Sequence, residues 1–233
     1  MAVYVIAEAG VNHNGDAAIA HRLVDVGAEA GADAVKFQTF RAGEVVVAGA
    51  GKADYQKKTT DGHEPQIEML RRLELPLAAF GALRDHCRER DVDFLSTPFD
   101  AESLDFLVDE LDMAVVKVPS GEITNGPFLL RVARTGRRVI LSTGMSTLDE
   151  VRDALGVLAF GMTEPNAPPS RAAFAAVFSS VKGRDTLSQR VHLLHCTAEY
   201  PAPAEDANLR AIDTMRDVFG LPVGLSDHTE GIV

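Results

Sequence analysis

The sequence has few cysteines, and the two that it has lie far apart. Cys87 and Cys196 form no CxxC motif within the 233 residues. Two isolated thiols cannot build the disulfide framework of a small secreted protein. The cysteine content therefore favours a reducing compartment, and we expect a cytoplasmic location.

Excess positive charge and long apolar runs are missing too. The formal net charge is −11, which argues against nucleic acid or an anionic membrane as partner, because phosphates need a basic face. The first residues, MAVYVIAEAG, lack the basic segment of a signal peptide, and no later run is long enough to span a bilayer. An acidic protein that binds a small anion must place individual Lys or Arg residues for it.

The glycine motif of dinucleotide-binding folds is also absent, since no G-x-G-x-x-G follows the first apolar run. What the chain does contain is a regular alternation of apolar runs and helical patterns. The apolar runs predict strands at 3–8, 32–40, 92–97, 114–118, 138–143, 191–196 and 221–226. Between them, helical patterns fall near 17–31, 66–73, 77–90 and 101–111, after Pro127, and from the capping box TLDE (147–150).

Two segments interrupt this alternation. Residues 41–65 form a polar loop, and residues 162–190 form an insertion with a short helical stretch near 171–181. Strands apolar enough for burial on both faces, separated by helices, indicate an α/β protein with a parallel sheet. Seven such units predict a (β/α)8 TIM barrel. Because such a barrel needs about 250 residues, we expect a single incomplete barrel domain over 1–233 that stops after strand seven.

Each predicted strand delivers polar residues at its C-terminal end, which is where TIM barrels carry their active sites. In chain order these residues are Glu8; Lys36 and Gln38; Ser96 and Thr97; Lys117, Ser120, Gly121 and Glu122; Ser142, Thr143 and Gly144; His195, Cys196, Thr197 and Tyr200; Ser226, Asp227 and His228.

Side-chain alternation along the second strand separates Lys36 and Gln38 from the apolar Val35 and Phe37. The apolar set suits the helix-covered outside, so Lys36 and, on the fourth strand, Lys117 would point into the barrel mouth. Buried ammonium groups need a neighbouring negative charge, which a doubly charged ligand or nearby carboxylates can supply. The carboxylates in question are Glu8 and Glu122.

The single residues also have plain structural interpretations. A lysine at a strand end is often one half of an ion pair, and a lone histidine such as His195 is often a hydrogen-bonded core residue. Cys196 follows His195 directly, but strand neighbours point to opposite faces, which argues against a Cys–His nucleophile. The SGE and STG turns expose backbone N–H groups that can hold phosphate oxygens.

The motifs together resemble those of the N-acetylneuraminate (sialic acid) synthase family. The resemblance runs from Val3 to the end of the chain, over IAEAGVNHNGD, AVKFQTF, FLSTPFD, VKVPSGEITN, ILSTGMST, LLHCTAEYPAP and GLSDHT. It implies a cytoplasmic enzyme that condenses phosphoenolpyruvate with open-chain N-acetylmannosamine, giving N-acetylneuraminate and phosphate with the help of Mn²⁺ or Mg²⁺.

The resemblance also implies roles for individual residues. Glu8, Gln38 and Glu122 would position the sugar and water, and His228 would bind the metal as well as phosphoenolpyruvate. The implied phosphoenolpyruvate-binding residues are Lys36, Thr97, Lys117, Ser120, Tyr200, Ser226 and His228.

The sequence departs from the family pattern in two respects. Ala198 stands where many members have Asn after the HCT motif, which puts one substrate contact in doubt. The family's second metal-binding histidine, on the eighth strand, and its small C-terminal antifreeze-like domain would both lie beyond Val233. That domain caps the partner's active site in family homodimers, so the resemblance implies a homodimer for a full-length chain.

Four other functions remain open at this point. A legionaminic acid synthase would use 2,4-diacetamido-2,4,6-trideoxymannose, and the loop 55–64 makes a pseudaminic acid synthase less consistent with the sequence. A 3-deoxy-octulosonate or heptulosonate phosphate synthase would need arginines for a second phosphate, and the strand-end motifs contain none. A Schiff-base aldolase would use Lys36 or Lys117. The chain could also be a non-catalytic fragment that only binds phosphoenolpyruvate.

Overall fold

The computed structural model describes residues 3–47, 49–52, 56–57 and 64–231. Within them, seven strands pair in parallel as two sheets, ordered β1-β2-β3 and β4-β5-β6-β7. The strands are β1 (Ile6–Gly10), β2 (Ala34–Thr39), β3 (Asp93–Pro98), β4 (Val115–Val118), β5 (Arg138–Ser142), β6 (Val191–His195) and β7 (Val223–Leu225).

Helices occupy most of the intervals between consecutive strands. They are α1 (Ala17–Glu29), α2 (Ala42–Val45), α3 (Gln66–Leu73), α4 (Leu77–Glu89), α5 (Ala101–Asp105), α6 (Gly126–Arg134), α7 (Leu148–Thr163), α8 (Arg171–Ser179), α9 (Val181–Arg190) and α10 (Arg210–Phe219). A π-helical stretch, Phe106–Glu110, continues α5, and 3-10 turns lie at Ser120–Glu122 and Ala204–Asp206. No helix of the described residues is both long and apolar enough to cross a bilayer.

The chain divides into two compact units, Met1–Met113 and Ala114–Val233. In the first, α1 packs against the outer face of β2, where Val35 and Phe37 are fully buried. The approach is close at Gly27, because a Cβ there would lie 2.7 Å from Val35 Cγ2. This packing confirms that Val35 and Phe37 face the helices and leaves the other face of β2 to Lys36 and Gln38.

In the second unit, α7 is the most deeply buried helix, and α6, α8 and α9 pack around it. Its capping box is confirmed, since Thr147 accepts from the N–H of Glu150 and the Glu150 carboxylate accepts from the N–H of Thr147. Phe160 of α7 meets Phe174 of α8 edge to face, with ring centroids 5.1 Å apart. The insertion therefore adds its helices to the core of this unit.

The predicted α/β class with parallel strands is confirmed, and each predicted strand is found, although several boundaries were wrong. β1 begins at Ile6 instead of residue 3, since Val3 and Tyr4 lie exposed outside the ladder. The helix predicted over 101–111 is a short α-helix followed by the π-helical stretch. The insertion contains a second helix, α9, that the sequence analysis missed. Closure of the strands into a barrel stays a prediction.

Two glycine-to-alanine substitutions should change stability in opposite directions. In α9, a Cβ at Gly183 would lie 2.0 Å from the carbonyl oxygen of Val177, so Gly183→Ala should destabilise by about 1–3 kcal/mol. In α4, a Cβ at Gly81 meets only Leu111 Cδ2, at 3.9 Å, so Gly81→Ala should stabilise by about 0.5–1 kcal/mol through helix propensity. Thermal melts check both, and a stable Gly183→Ala variant would contradict the described packing of α9.

Candidate active site

Lys36 is the centre of a polar cluster at the C-terminal end of the first sheet. It lies opposite Glu8 in the β1–β2 register, and its ammonium group forms an ion pair with the Glu8 carboxylate. Its Nζ also donates to Thr97 Oγ1 of β3 at 3.3 Å. Lys36 is only 8% exposed, whereas the Glu8 side chain is 49% exposed, so one end of this ion pair is open to solvent.

Gln38 completes this first cluster. Its amide and the Glu8 carboxylate both lie against Gly10, where a Cβ would be 3.7 Å from Gln38 Nε2 and 3.1 Å from Glu8 Oε1. Gly10 has φ +52°, a conformation that glycine adopts without strain. The structure therefore brings together four predicted site residues, namely Glu8, Lys36, Gln38 and Thr97.

The turn after β1 contains a buried histidine that the sequence analysis did not select. His13 is 1% exposed, and its Nδ1 accepts the N–H of Gly15 at 3.0 Å. Burial lowers the pKa of His13, so the ring is neutral at pH 7. The neutral ring stabilises the turn that follows Glu8 and Gly10. In the sequence, the only sign that His13 has a structural role is its position between two asparagines, Asn12 and Asn14.

The second sheet carries a separate cluster around Lys117 and Ser120. Lys117 is 6% exposed, and its Nζ donates to the Val118 carbonyl at 3.1 Å. Ser120 Oγ accepts the N–H of Gly144 at 2.9 Å and lies 3.1 Å from Cys196 Sγ. These contacts hold together the ends of β4, β5 and β6.

Ser142, at the end of β5, is buried, and its Oγ lacks a hydrogen-bond partner among the described residues. A buried hydroxyl without a partner is costly and is usually satisfied by water or a bound molecule. The sequence analysis noted Ser142 at a strand end without giving it a role. The unsatisfied oxygen, which only the structure shows, indicates a ligand-binding position.

His228 follows β7 and is held by both ring nitrogens. Its Nδ1 lies 2.6 Å from the Thr197 carbonyl oxygen, which can only accept, so Nδ1 carries a proton. In the neutral ring, Nε2 then has a free lone pair, and it lies 3.2 Å from Ser226 Oγ. The Tyr200 ring packs on the imidazole with centroids 4.2 Å apart. Three predicted residues, Tyr200, Ser226 and His228, thus lie together.

This arrangement fits one ligand of a divalent metal ion. A metal-binding histidine usually donates its other ring N–H to a carbonyl or carboxylate, as His228 does to Thr197. Within residues 3–47, 49–52, 56–57 and 64–231, no three His, Cys, Asp or Glu side chains cluster into a metal site. The described part of the chain therefore supplies a single imidazole, and the metal stays a prediction.

Glu122 and Arg210 lie at more open positions of the second unit. Glu122, in the turn after β4, is half-buried and accepts a hydrogen bond from Asn125 Nδ2 at 2.6 Å. Arg210 begins α10 and lines a cavity of about 400 Å³ together with His195 and Cys196. The arginine side chain is exposed, so it does not form the buried phosphate site that a sugar-phosphate synthase would need.

Parallel strands that end in buried lysines, hydroxyls and backbone N–H groups define an α/β protein with the donor types that small anions require. Comparison with known families is more specific, because residues 23–233 match the NeuB family. The chain belongs to this family.

Three relatives illustrate the similarity. The N,N'-diacetyllegionaminic acid synthases of Campylobacter jejuni and Legionella pneumophila are 45% and 43% identical over 98% and 100% of this chain. The N-acetylneuraminate-9-phosphate synthase of Mus musculus is 30% identical over 98%. The chain spans 61%, 59% and 56% of the lengths of these relatives, respectively.

A crystal structure of sialic acid synthetase from Leptospira borgpetersenii in complex with citrate has a similar fold. The TM-score is 0.76 at 28% identity, over 100% of this chain and 67% of that chain. The family resemblance inferred from the sequence motifs is thereby confirmed.

Acid should remove the contribution of Asp227 to stability. The pKa of Asp227 is lowered, chiefly because its Oδ1 accepts the N–H and hydroxyl of Thr229 at 2.9 and 2.8 Å. A lowered pKa stabilises the fold above the ordinary aspartate value of about 3.9, and this stabilisation disappears as pH falls through the folded-state pKa. Asp227→Asn should therefore melt about 1–2 °C below wild type at pH 7, a small difference because solvent weakens an exposed interaction, and the difference should shrink as the pH is lowered below about 3.9.

The exposed Asp217→Asn on α10 makes the same change in net charge and serves as the control in these melts. A melting difference for Asp227→Asn that persists undiminished at pH 3 would contradict the hydrogen bonds described for this carboxylate.

Proposed function

We propose that this chain carries the phosphoenolpyruvate-binding part of a nonulosonate synthase. The reaction joins phosphoenolpyruvate to the aldehyde of an open-chain N-acetylated mannose-type sugar and releases phosphate. One observation carries the proposal, namely that two buried lysines lie at strand ends beside hydroxyl and backbone donors. Membership of the NeuB family and the names of the similar synthases support it.

Phosphoenolpyruvate has two anionic groups, a phosphate and a carboxylate, and each needs positioned cationic or hydrogen-bonding donors. Lys36 with Thr97 forms one donor set in the first unit, and Lys117, at the end of β4, and Ser120, in the turn that follows, form a second set in the other unit. The unsatisfied hydroxyl of Ser142 adds a further donor to the second set. Donors that are already buried lose little entropy on binding, which favours a tight and specific anion site.

The chemistry forms one carbon–carbon bond and breaks one carbon–oxygen bond. The C3 carbon of phosphoenolpyruvate bonds to the aldehyde carbon, water adds at C2, and phosphate leaves with the bridging oxygen. His228 would hold a divalent metal ion such as Mn²⁺ or Mg²⁺, which would supply Lewis-acid polarisation of the aldehyde oxygen. Ser226 and Tyr200 hold the imidazole from two sides.

The carboxylates and Gln38 position the sugar and the water. Glu8 is tied to Lys36, and its exposed side can still accept a sugar hydroxyl. Glu122 is a better candidate than Glu8 for the general base, since the Asn125 amide that donates to it is neutral, whereas Glu8 is paired with a lysine. A Glu122→Gln variant with unchanged turnover would exclude that role.

The identities favour a 2,4-diacetamido-2,4,6-trideoxymannose substrate over N-acetylmannosamine. The two legionaminic acid synthases are 45% and 43% identical to this chain, against 30% for the mouse N-acetylneuraminate-9-phosphate synthase. Legionaminic acid synthesis, an alternative at the sequence level, thus becomes the preferred proposal. N-acetylneuraminate synthesis is the second candidate. The closed barrel, the homodimer and the cytoplasmic location belong to the proposal as predictions.

Phosphate release tests this function. We expect release from phosphoenolpyruvate only when metal and sugar are both present, with a higher kcat/KM for the diacetamido sugar than for N-acetylmannosamine. The assay uses this chain alone and fused to the C-terminal part of the Campylobacter jejuni relative that it does not span.

Each outcome of this assay supports one interpretation. Release by the fusion alone, with phosphoenolpyruvate binding by both proteins, would show that the chain by itself is a non-catalytic binding fragment. A higher kcat/KM for N-acetylmannosamine would restore N-acetylneuraminate synthesis as the function. Neither binding nor release in both proteins would overturn the proposal.

Replacing Lys36 tests the anion site itself. Lys36→Met keeps the length of the side chain, and the exposed Glu8 remains solvated, so the fold should survive. Truncating one partner of a buried charge pair costs about 2 kcal/mol or more, so the Kd of phosphoenolpyruvate should rise at least about 30-fold. Lys182→Met, on the exposed surface of α9, is the matched control and should leave the Kd unchanged. Equal Kd values for the two variants would exclude Lys36 from the site.

A further inference from the structure

The thiol of Cys196 contacts a proposed substrate-binding residue. Cys196 lies immediately after β6 and is 6% exposed, and its Sγ is 3.1 Å from Ser120 Oγ. Its neighbour His195 directs Nε2 to the Ala207 carbonyl, 2.7 Å away, whereas the Cys196 thiol contacts the Ser120 hydroxyl. The role of this buried thiol therefore lies in its contact with Ser120.

The hydrogen-bond capacity of the Ser120 hydroxyl defines that role. A serine hydroxyl has one proton to donate and two lone pairs that accept. One lone pair of Ser120 takes the N–H of Gly144 at 2.9 Å. If Cys196 donates its S–H to the second lone pair, the hydroxyl proton is left for a third partner. If the sulfur accepts instead, that proton is consumed within the protein.

We propose that Cys196 is a positioning residue that donates to Ser120 Oγ and thereby directs the Ser120 proton toward an anionic group of the substrate. This inference rests on the proposed function, in which Ser120 binds phosphoenolpyruvate. An anionic oxygen is a stronger acceptor than a thiol sulfur, so the ligand selects the arrangement in which sulfur donates. With both lone pairs occupied, the hydroxyl has a single remaining orientation for its proton.

The close packing around Gly144 holds the three groups in contact. A Cβ at Gly144 would lie 2.8 Å from Cys196 Sγ and 3.0 Å from Ser120 Oγ. Only a residue without a side chain lets the backbone N–H, the hydroxyl and the thiol meet at this point. The three groups come from the ends of three neighbouring strands, β4, β5 and β6, so the sheet itself fixes their positions.

The test is a double-mutant cycle on phosphoenolpyruvate affinity, measured by titration calorimetry of this chain and of its fusion to the Campylobacter jejuni segment. Cys196→Ala should raise the Kd of phosphoenolpyruvate about 3- to 10-fold, the equivalent of one hydrogen bond, and leave the KM of the sugar unchanged in the fusion. Cys196→Ser keeps a donor and should restore most of the affinity. In a Ser120→Ala background, Cys196→Ala should change the Kd less than about 2-fold, since its effect passes through Ser120.

Cys87→Ala is the control for loss of a buried thiol. Cys87 lies in the core of α4, where burial raises its pKa to about 12 and keeps it a neutral, inert thiol. Its substitution should leave the Kd of phosphoenolpyruvate unchanged, and melting temperatures of all variants report losses of fold.

The positioning role would be overturned if the effects of Cys196→Ala and Ser120→Ala on the Kd were additive, or if Cys196→Ser bound phosphoenolpyruvate as weakly as Cys196→Ala. In either case, binding by the wild-type protein would leave the proposed function standing. Wild-type protein that does not bind phosphoenolpyruvate in either form would overturn both.

Discussion

The burial of two ammonium groups is the physical constraint on which the site depends. A lysine taken out of water loses several kcal/mol of hydration unless an anion or strong acceptors replace the water. Lys36 meets this requirement with the Glu8 carboxylate and Thr97, and Lys117 in part with the Val118 carbonyl. In a protein of net charge −11, lysines at such positions serve a local need, and binding of a small anion is the need that we propose.

The strands place the buried lysines at positions where they can contact a ligand. Alternation along β2 turns Val35 and Phe37 toward α1, so that Lys36 and Gln38 face the other way. In the second unit, the ends of β4, β5 and β6 are joined by the Ser120 hydroxyl, which links their turns through two contacts. Each unit thus builds its donors on rigid strands, where positions are better fixed than on long loops.

Much of this organisation was predictable from the sequence, because apolar runs and side-chain alternation follow directly from burial. Strand ends were less predictable, since they depend on hydrogen bonds to neighbouring strands. For example, β1 starts at Ile6, although the Val5 carbonyl still accepts the N–H groups of Asp33 and Ala34 outside the ladder. Helix α9 was missed because VKGRDTLSQR is polar and follows α8 directly, with Ser180 as both the C-cap of α8 and the N-cap of α9. Its helical state depends on packing against α7, which a local pattern does not contain.

The residue types of the site were predictable from motifs, but their couplings were not. His228 and Thr197 are 31 residues apart, and Ser120 and Cys196 are 76 apart, so only the fold brings them into contact. The unsatisfied hydroxyl of Ser142 is likewise a property of its surroundings, because most serines are exposed and the sequence does not distinguish this buried one.

The central claim is that the buried donors at the strand ends bind phosphoenolpyruvate, and comparative binding tests it most directly. Calorimetry of this chain with phosphoenolpyruvate, inorganic phosphate and pyruvate should give the lowest Kd for phosphoenolpyruvate, by at least about 100-fold, because only this ligand carries both a phosphate and a carboxylate. Equal affinity for pyruvate and phosphoenolpyruvate, together with trapping of pyruvate on a lysine by borohydride, would contradict the account and point to Schiff-base chemistry.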